Sequence, residues 1–247
     1  MTQQTHIGLG RSFSPRLVTS NGQIMELPAP VDEIVAIPPF GLDGHLTLPV
    51  QARSVVVFAH GSGSSRHSPR NKYVAQALAR AGFGTLLFDL LLPQEGTDRA
   101  ATFDIDLLAD RLILATQWLR RRIDHHPVDI GYFGASTGAA AALVAAARQP
   151  EPVKAIVCRG GRPDLAGPFL ADVRAPTLFI VGGMDTEVLA LNRWASSQMT
   201  CKTTLKVVPD ASHLFEEVGA LDQVIDCAAF WFRRYLLHAD SHVQRQG

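Results

Sequence analysis

Three residues spread along this chain have the types needed for acyl transfer: Ser136, Asp185 and His213. Ser136 sits in Gly134-Ala135-Ser136-Thr137-Gly138, a G-x-S-x-G pattern. A serine hydroxyl is a weak nucleophile at neutral pH and needs a base within hydrogen-bond reach. His213 can take that proton and return it to a leaving group. Asp185 can hold the other ring nitrogen, fixing the tautomer and stabilising the imidazolium. Attack on a carbonyl also creates an oxyanion, which needs donors. The backbone N–H of Ser62, aided by that of Thr137, is placed to supply them, and losing one such donor typically costs on the order of 3 kcal/mol of transition-state stabilisation.

The elements around these residues must bring them to one edge. Val128, Ile130, Tyr132 and Phe133 form a short apolar run of strand character. Ala139 to Arg148 is a run of strong helix formers. A strand that turns at once into a helix passes through a tight bend, which lifts the serine clear and sets it at a helix N-terminus. Val55 to Ala59 reads as a strand buried on both faces and runs into His60-Gly61-Ser62-Gly63-Ser64-Ser65-Arg66. Ser68 caps a helix that begins at Pro69, and Gly82 stops it. Further strands are expected at Glu33–Ile37, His45–Leu48, Gly84–Phe88, Val153–Val157, Thr177–Val181 and Thr204–Val208. Phe40 to Gly44 is expected as a hairpin loop and residues 92–103 as a polar loop.

Strands alternate with helices from residue 53 onward. That pattern predicts an α/β fold with a mostly parallel sheet of about eight strands, helices on both faces and right-handed crossovers. In such a sheet ligands bind at the carboxyl ends of the strands. Those ends carry His60-Gly61-Ser62, Ser136, Asp185 and His213. Residues 1–30 are polar and read as a loose N-terminal arm; residues 31–247 read as one domain. No inter-strand segment is long enough for a large cap domain, and the loop at 159–175 has room only for a small lid.

Each assignment has a rival. Asp185 follows a Gly-Gly turn and precedes a helix, so it also fits a helix N-cap. His67 is a rival base; His125 and His126 fall at the wrong end of the sheet, and His238 and His242 in the tail. His60 fits a brace for the oxyanion loop and, with Gly61, a contact to substrate. Asp89 ends a strand near the site and reads as a loop-bracing carboxylate. Arg159 and Arg162 leave the strand beside Ser136, where they either meet a substrate carboxylate or phosphate or pair with Asp164 or Asp172. Arg120, Arg121 and Arg122 suit a helix C-terminus, whose dipole favours cations.

Composition narrows the function classes. Lys plus Arg and Asp plus Glu number 23 each, so neither nucleic acid nor an anionic membrane is the expected partner. A small-molecule ester is, with the chain a monomer or small homo-oligomer. Cys158, Cys201 and Cys227 are widely spaced, which suits reduced thiols in a cytoplasm. No secretory signal and no membrane-spanning run is visible. The glycine-rich loop after Ala59 lacks the G-K-[ST] ending of a P-loop, and no zinc-ligand spacing occurs, so no cofactor or metal is expected.

The motifs His60 to Arg66, Ser68-Pro69-Arg70-Asn71 and Arg159-Gly160-Gly161-Arg162-Pro163-Asp164-Leu165 carry a resemblance. Over residues 30–237 the chain resembles the α/β-hydrolase superfamily, and within it the dienelactone hydrolase-like family. The motifs look like those of a bacterial subgroup sometimes fused to a phosphoribosyltransferase domain; no stretch of these 247 residues reads as that domain. The resemblance implies an α/β-hydrolase fold and carboxylic-ester hydrolysis with Ser136, Asp185 and His213 as triad. True dienelactone hydrolases carry cysteine as nucleophile, and this chain has serine. A thiol is already partly ionised whereas a hydroxyl needs the full help of the base, so a simple esterase is expected rather than a lactonase. A thioesterase or acyltransferase on the same triad is the second enzyme reading; a binding or scaffold protein with an unused triad is the reading from another class.

Overall fold

Two kinds of strand sequence build the sheet, and each sits where its pattern demands. The computed structural model describes residues 16–18, 24–26, 29–50, 52–123 and 128–236. In the expected arm, Arg16–Val18 (β1) pairs antiparallel with Ile24–Glu26 (β2); the rest of residues 1–28 lies outside the described residues. Val31–Ile37 (β3) and Leu42–Leu48 (β4) alternate exposed and buried positions toward one margin of the main sheet. Ile34, on the outermost strand, is left 83% exposed. Ser54–Ala59 (β5), Gly84–Phe88 (β6) and Thr177–Gly182 (β9) are buried at every position. Asp129–Ala135 (β7) and Val153–Arg159 (β8) are buried but for one residue near each start. Thr203–Val208 (β10) closes the other margin with alternating burial. Continuous burial marks a strand covered on both faces, and alternation one that is half covered.

The strand order is β10-β9-β8-β7-β5-β6-β4-β3. β3–β4 and β4–β6 pair antiparallel, and every other neighbour pair is parallel. This is the eight-stranded, mostly parallel sheet of an α/β-hydrolase fold. The hairpin is tighter than the sequence suggests: β4 begins at Leu42, and Gly44 lies within it. A Cβ on Gly44 would stand 3.0 Å from Val35 Cγ2 and 3.2 Å from Phe88 Cβ, so a bare Cα is needed inside the ladder.

Helices cover both faces. Pro69–Arg80 (α1) and Ala220–Leu236 (α7) pack on one side, where Val74, Leu78, Val224, Ala228 and Phe232 join a single apolar cluster with Val56, Phe58 and Val157. Ile105–Arg122 (α4), Thr137–Arg148 (α5) and Thr186–Gln198 (α6) cover the other. Every residue of α5 from Thr137 to Ala146 is buried. Its small alanines let the helix seat against the sheet at interior packing density. The cap expected at Ser68 is present, its Oγ accepting the Asn71 N–H at 3.4 Å. Arg122, in the last turn of α4, donates from Nε to Glu33 at 3.1 Å.

Residues 92–103 are not a plain loop. They fold into two short helices, Pro93–Gly96 (α2) and Arg99–Phe103 (α3). Local capping explains this: Glu95 Oε2 accepts the Leu92 N–H at 2.8 Å, and Asp98 Oδ1 accepts the Ala100 N–H at 2.8 Å. Hydrophobic periodicity is too short here to reveal either. The stretch Pro163–Asp172 likewise folds into 3-10 turns, kinked at Gly167. His125, His126, His238 and His242 lie outside the described residues. No helix among the described residues is long and apolar enough to cross a membrane.

Candidate active site

The bend between β7 and α5 is carried by the serine itself. Ser136 has φ 52° and ψ −123°, a sparsely populated conformation for a residue with a side chain that costs on the order of 1–3 kcal/mol. Surrounding contacts hold it there. The Ser136 carbonyl accepts N–H groups from Ala139 at 3.1 Å and Arg162 at 3.0 Å, and its own N–H donates to the Arg159 carbonyl at 3.4 Å. The glycines matter for close approach rather than for their own conformation. A Cβ on Gly134 would lie 2.5 Å from Ala139 Cα, and one on Gly138 would overlap the Ala59 carbonyl. The loop that carries Ser136 is therefore pressed onto the end of β5.

That contact brings in the loop after β5. A Cβ on Gly61 would lie 2.8 Å from Ser136 Cβ and 3.5 Å from Ser136 Oγ, so Gly61 passes directly against the serine. The next residue, Ser62, donates its N–H to the Thr137 hydroxyl at 2.9 Å. One of the two expected oxyanion donors thus already has an acceptor. The other, the Thr137 N–H, belongs to the first residue of α5, where no carbonyl one turn back can bond it.

His60 braces this loop. Its Nε2 accepts the Leu90 N–H at 3.1 Å, which leaves the ring proton on Nδ1, and Nδ1 donates to the Gly61 carbonyl at 3.0 Å. Both nitrogens are spent inside the protein, so the imidazole ties the β5 loop to the β6 loop and offers substrate no polar atom. Burial holds its pKa below the usual histidine value. Asp89 acts as the expected brace: Oδ1 accepts the Arg66 N–H at 2.7 Å, and Oδ2 pairs with the Arg66 guanidinium. Arg66 also reaches Asp43 at 3.1 Å. A cleft of about 620 Å³ opens here, lined by Gly61, Ser62, Arg66, Leu91, Leu92 and Leu108 among others.

At the far side, Asp185 and His213 come together across 28 residues of sequence. His213 Nδ1 meets Asp185 Oδ2 at 2.6 Å. Asp185 occupies the N-cap position of α6, yet its side chain makes no capping bond. The carboxylate is used on the histidine rather than on the helix end. The two loops are fitted to each other: a Cβ on Gly182 would overlap the Ala211 carbonyl, and Met184 N–H donates to that carbonyl at 3.0 Å. Glu217 Oε2 accepts the Ser212 N–H at 3.0 Å and anchors the histidine loop from behind. Sequence reading missed Glu217, which lies in a polar turn with no pattern to single it out.

The imidazole faces the serine's neighbourhood. A Cβ on Gly160 would stand 3.6 Å from His213 Cε1, and Gly160 directly follows the residue whose carbonyl holds the Ser136 amide. No hydrogen bond joins Ser136 Oγ to His213 among the described residues; such contacts are often long before substrate arrives. His67, the rival base, lies exposed on the loop before α1.

The two candidate arginines part company. Arg162 makes a bidentate pair with Asp164, Nε to Oδ1 at 2.9 Å and Nη2 to Oδ2 at 2.8 Å. It orders its own loop. Arg159 is buried, with neither Asp164 nor Asp172 as partner. Among the described residues no group of three or more His, Cys, Asp or Glu side chains converges as metal ligands would.

A family model for the alpha/beta hydrolase fold matches residues 54–174. Two Mycobacterium tuberculosis proteins that bear a provisional phosphoribosyl transferase name are 59% identical over 198 residues, or 80% of this chain. The match spans only 45% of their length. A dienelactone hydrolase structure from Anabaena variabilis is 51% identical, with a TM-score of 0.80, and the match covers 85% of this chain and all of that one. An α/β serine hydrolase without a lid from Xanthomonas campestris is 25% identical, with a TM-score of 0.64, over 84% of this chain and 95% of its own.

Proposed function

The chain belongs to the dienelactone hydrolase-like family of α/β hydrolases, and from that premise we propose that it is a serine esterase acting on small carboxylic esters. The observation that carries this reading is the 2.6 Å hydrogen bond between His213 Nδ1 and Asp185 Oδ2, together with a serine held in a strained strand-to-helix bend. A carboxylate spent on Nδ1 leaves Nε2 as the free basic nitrogen.

In the reaction, Ser136 Oγ attacks the ester carbonyl carbon while its proton passes to His213 Nε2. Negative charge gathers on the carbonyl oxygen, where the Thr137 and Ser62 N–H groups donate to it. The tetrahedral intermediate collapses, the carbon–alkoxide bond breaks, and the departing oxygen takes the proton from His213. Water then attacks the acyl-enzyme with His213 as base, the Ser136–acyl bond breaks, and the acid leaves. Asp185 stays ionised and stabilises the imidazolium at both stages. The catalytic unit is the single α/β domain from residue 31, and short acyl chains are favoured because no large lid stands over the site among the described residues. The three free cysteines suit a reducing cytoplasm.

Assay of p-nitrophenyl esters from acetate to decanoate, wild type beside Ser136→Ala, tests this. Turnover of the short esters and its loss in the variant are expected, together with fluorophosphonate labelling of the wild type alone. Activity that survives Ser136→Ala would remove the serine from the mechanism.

A further inference from the structure

Asn192 is fully buried on the inner face of α6, and its side chain bonds a neighbouring loop as well as its own helix. Nδ2 donates to the Gly161 carbonyl at 2.9 Å and to the Val188 carbonyl at 2.7 Å. Both partners are carbonyls, which only accept, so the nitrogen must face them. Oδ1 is then sealed in the interior with no donor among the described residues. A buried oxygen left in this way costs stability. Leucine here would trade one orphan, Oδ1, for another, the carbonyl of buried Gly161. The amide therefore adds little to the fold that an apolar side chain would not. What it does add is a fixed place for Gly161.

Gly161 stands in the middle of a short bridge between the two halves of the site. On one side is Gly160, with φ 51°, whose N–H donates to the Ile180 carbonyl at 2.8 Å. A Cβ on Gly160 would stand 3.0 Å from the His213 carbonyl. On the other side, Arg162 donates its N–H to the Ser136 carbonyl at 3.0 Å. Gly161 itself runs so close to α5 that a Cβ on it would lie 2.6 Å from Ala139 Cβ. Asn192 pins the centre of this bridge.

Ser136 needs such a hold. Its backbone conformation is one that persists only where the surroundings over-determine it. The bond from Ala139 is local to the first turn of α5, whereas those with Arg159 and Arg162 come from the end of β8. The same helix holds the histidine loop. Asp185, at the N-cap of α6, lies about two turns before Asn192 on the same stripe and bonds His213. We propose that Asn192 is a positioning residue for the esterase reaction. Through the Gly161 carbonyl it keeps the Arg162 N–H on Ser136, while Asp185 keeps His213, so that α6 sets the approach of hydroxyl to imidazole. This rests on the esterase reading and deepens it.

Three variants test the assignment. Asn192→Leu removes the donor and keeps the bulk. Asn192→Ser bonds back to the Val188 carbonyl four residues earlier but falls short of Gly161. Ser196→Ala is the control on the same helix, where the Ser196 hydroxyl meets that of Thr203 at 2.7 Å and ties α6 to β10. Each is measured by steady-state kinetics on p-nitrophenyl butyrate and by a thermal melt. Both Asn192 variants are expected to lose about 10²-fold in kcat with KM little changed. Ser196→Ala is expected to keep kcat whatever it loses in melting temperature. Where Asn192→Leu fails to fold, Asn192→Ser decides alone. A wild-type kcat in the Asn192 variants, a rise in KM alone, or a kcat loss that Ser196→Ala shares would overturn the proposal. If the wild type cleaves no ester, the esterase reading falls and amide hydrogen exchange at Arg162 becomes the readout. Protection lost in Asn192→Ser and kept in Ser196→Ala retains the hold on Ser136; unchanged protection removes it.

Discussion

The Ser62 N–H donates to the Thr137 hydroxyl oxygen at 2.9 Å, so the loop after β5 is tied to the first turn of α5 by a donor that the proposed reaction also uses. A neutral hydrogen bond of this kind is worth about 0.5–1.5 kcal/mol net. A donor aimed at an oxyanion is worth about 3 kcal/mol. In the proposed reaction the oxyanion therefore wins the amide, and the exchange gives up the Thr137 bond on every turnover. Thr137→Val keeps the shape and removes the competing acceptor. On p-nitrophenyl butyrate its kcat is expected to rise about two- to tenfold with KM little changed. A tenfold fall would mean that the hydroxyl aims the amide rather than competing for it.

Asp185→Asn leaves the side-chain volume in place but offers a donor where His213 needs an acceptor. The imidazole then adopts the wrong tautomer, and kcat is expected to fall about 10⁴-fold. The Asp185 side chain caps nothing in α6, so the helix loses no bond. Steady-state kinetics beside a thermal melt separates the two effects: kcat collapses while the melting temperature stays within about 2 °C. A matching loss of folding would reassign Asp185 to structure.

Much of this arrangement is legible in the sequence because it rests on strong local patterns. The continuous apolar runs of β5, β6 and β9 mark buried strands. Ser136 is visible because its glycines flank it between a strand and an alanine helix. Asp185 and His213 are visible because each lies in the turn after a strand, β9 and β10 respectively, although their contact is a tertiary fact. What stays hidden depends on partners distant in sequence. His60 reads as a brace from its place in the loop, but its partner, the Leu90 N–H 30 residues away, shows only in three dimensions. The pairing of Arg162 with Asp164 and the isolation of Arg159 look identical in one dimension, since both arginines sit in the same short loop motif. The helices in 92–103 are hidden too, for they are set by Glu95 and Asp98 capping nearby N–H groups rather than by any apolar period.

Gly138 is a test of how tightly the elbow is pressed on β5. A Cβ there would overlap the Ala59 carbonyl and stand 2.5 Å from the His60 carbonyl, and both obstacles are backbone. Neither can swing away as a side chain end would. Gly138→Ala is expected to cost at least about 3 kcal/mol, the upper range for overpacking. Gly96→Ala is the control, since a Cβ there meets nothing within 4 Å, and its effect should stay within about 0.5 kcal/mol. Urea denaturation of both variants decides, and a Gly138→Ala midpoint equal to the control would show that the contact relaxes freely.

His60 gives the fold a pH dependence whose sign follows from its burial. In the folded chain desolvation holds its pKa below the ordinary value of 6.5, against smaller opposing effects from the Gly61 carbonyl and the Asp89 charge. The unfolded chain binds a proton on this ring as pH drops through about 6.5, while the folded chain does not until a lower pH. The stability tied to neutral His60 is therefore fully present above pH 6.5 and is lost as pH falls toward the folded pKa, by up to about 1.4 kcal/mol per pH unit. Protonation would also place a donor on Nε2, opposite the Leu90 N–H that now bonds it. Gln at this position offers an acceptor for Leu90 and has no charge to gain. Urea midpoints at pH 7.5, 6.5 and 5.5 should therefore fall more steeply for the wild type than for His60→Gln, and the gap between them should narrow as the solution turns acidic. Parallel lines would mean that the ring takes up its proton without cost, and that the link from the β5 loop to the β6 loop is not the neutral imidazole.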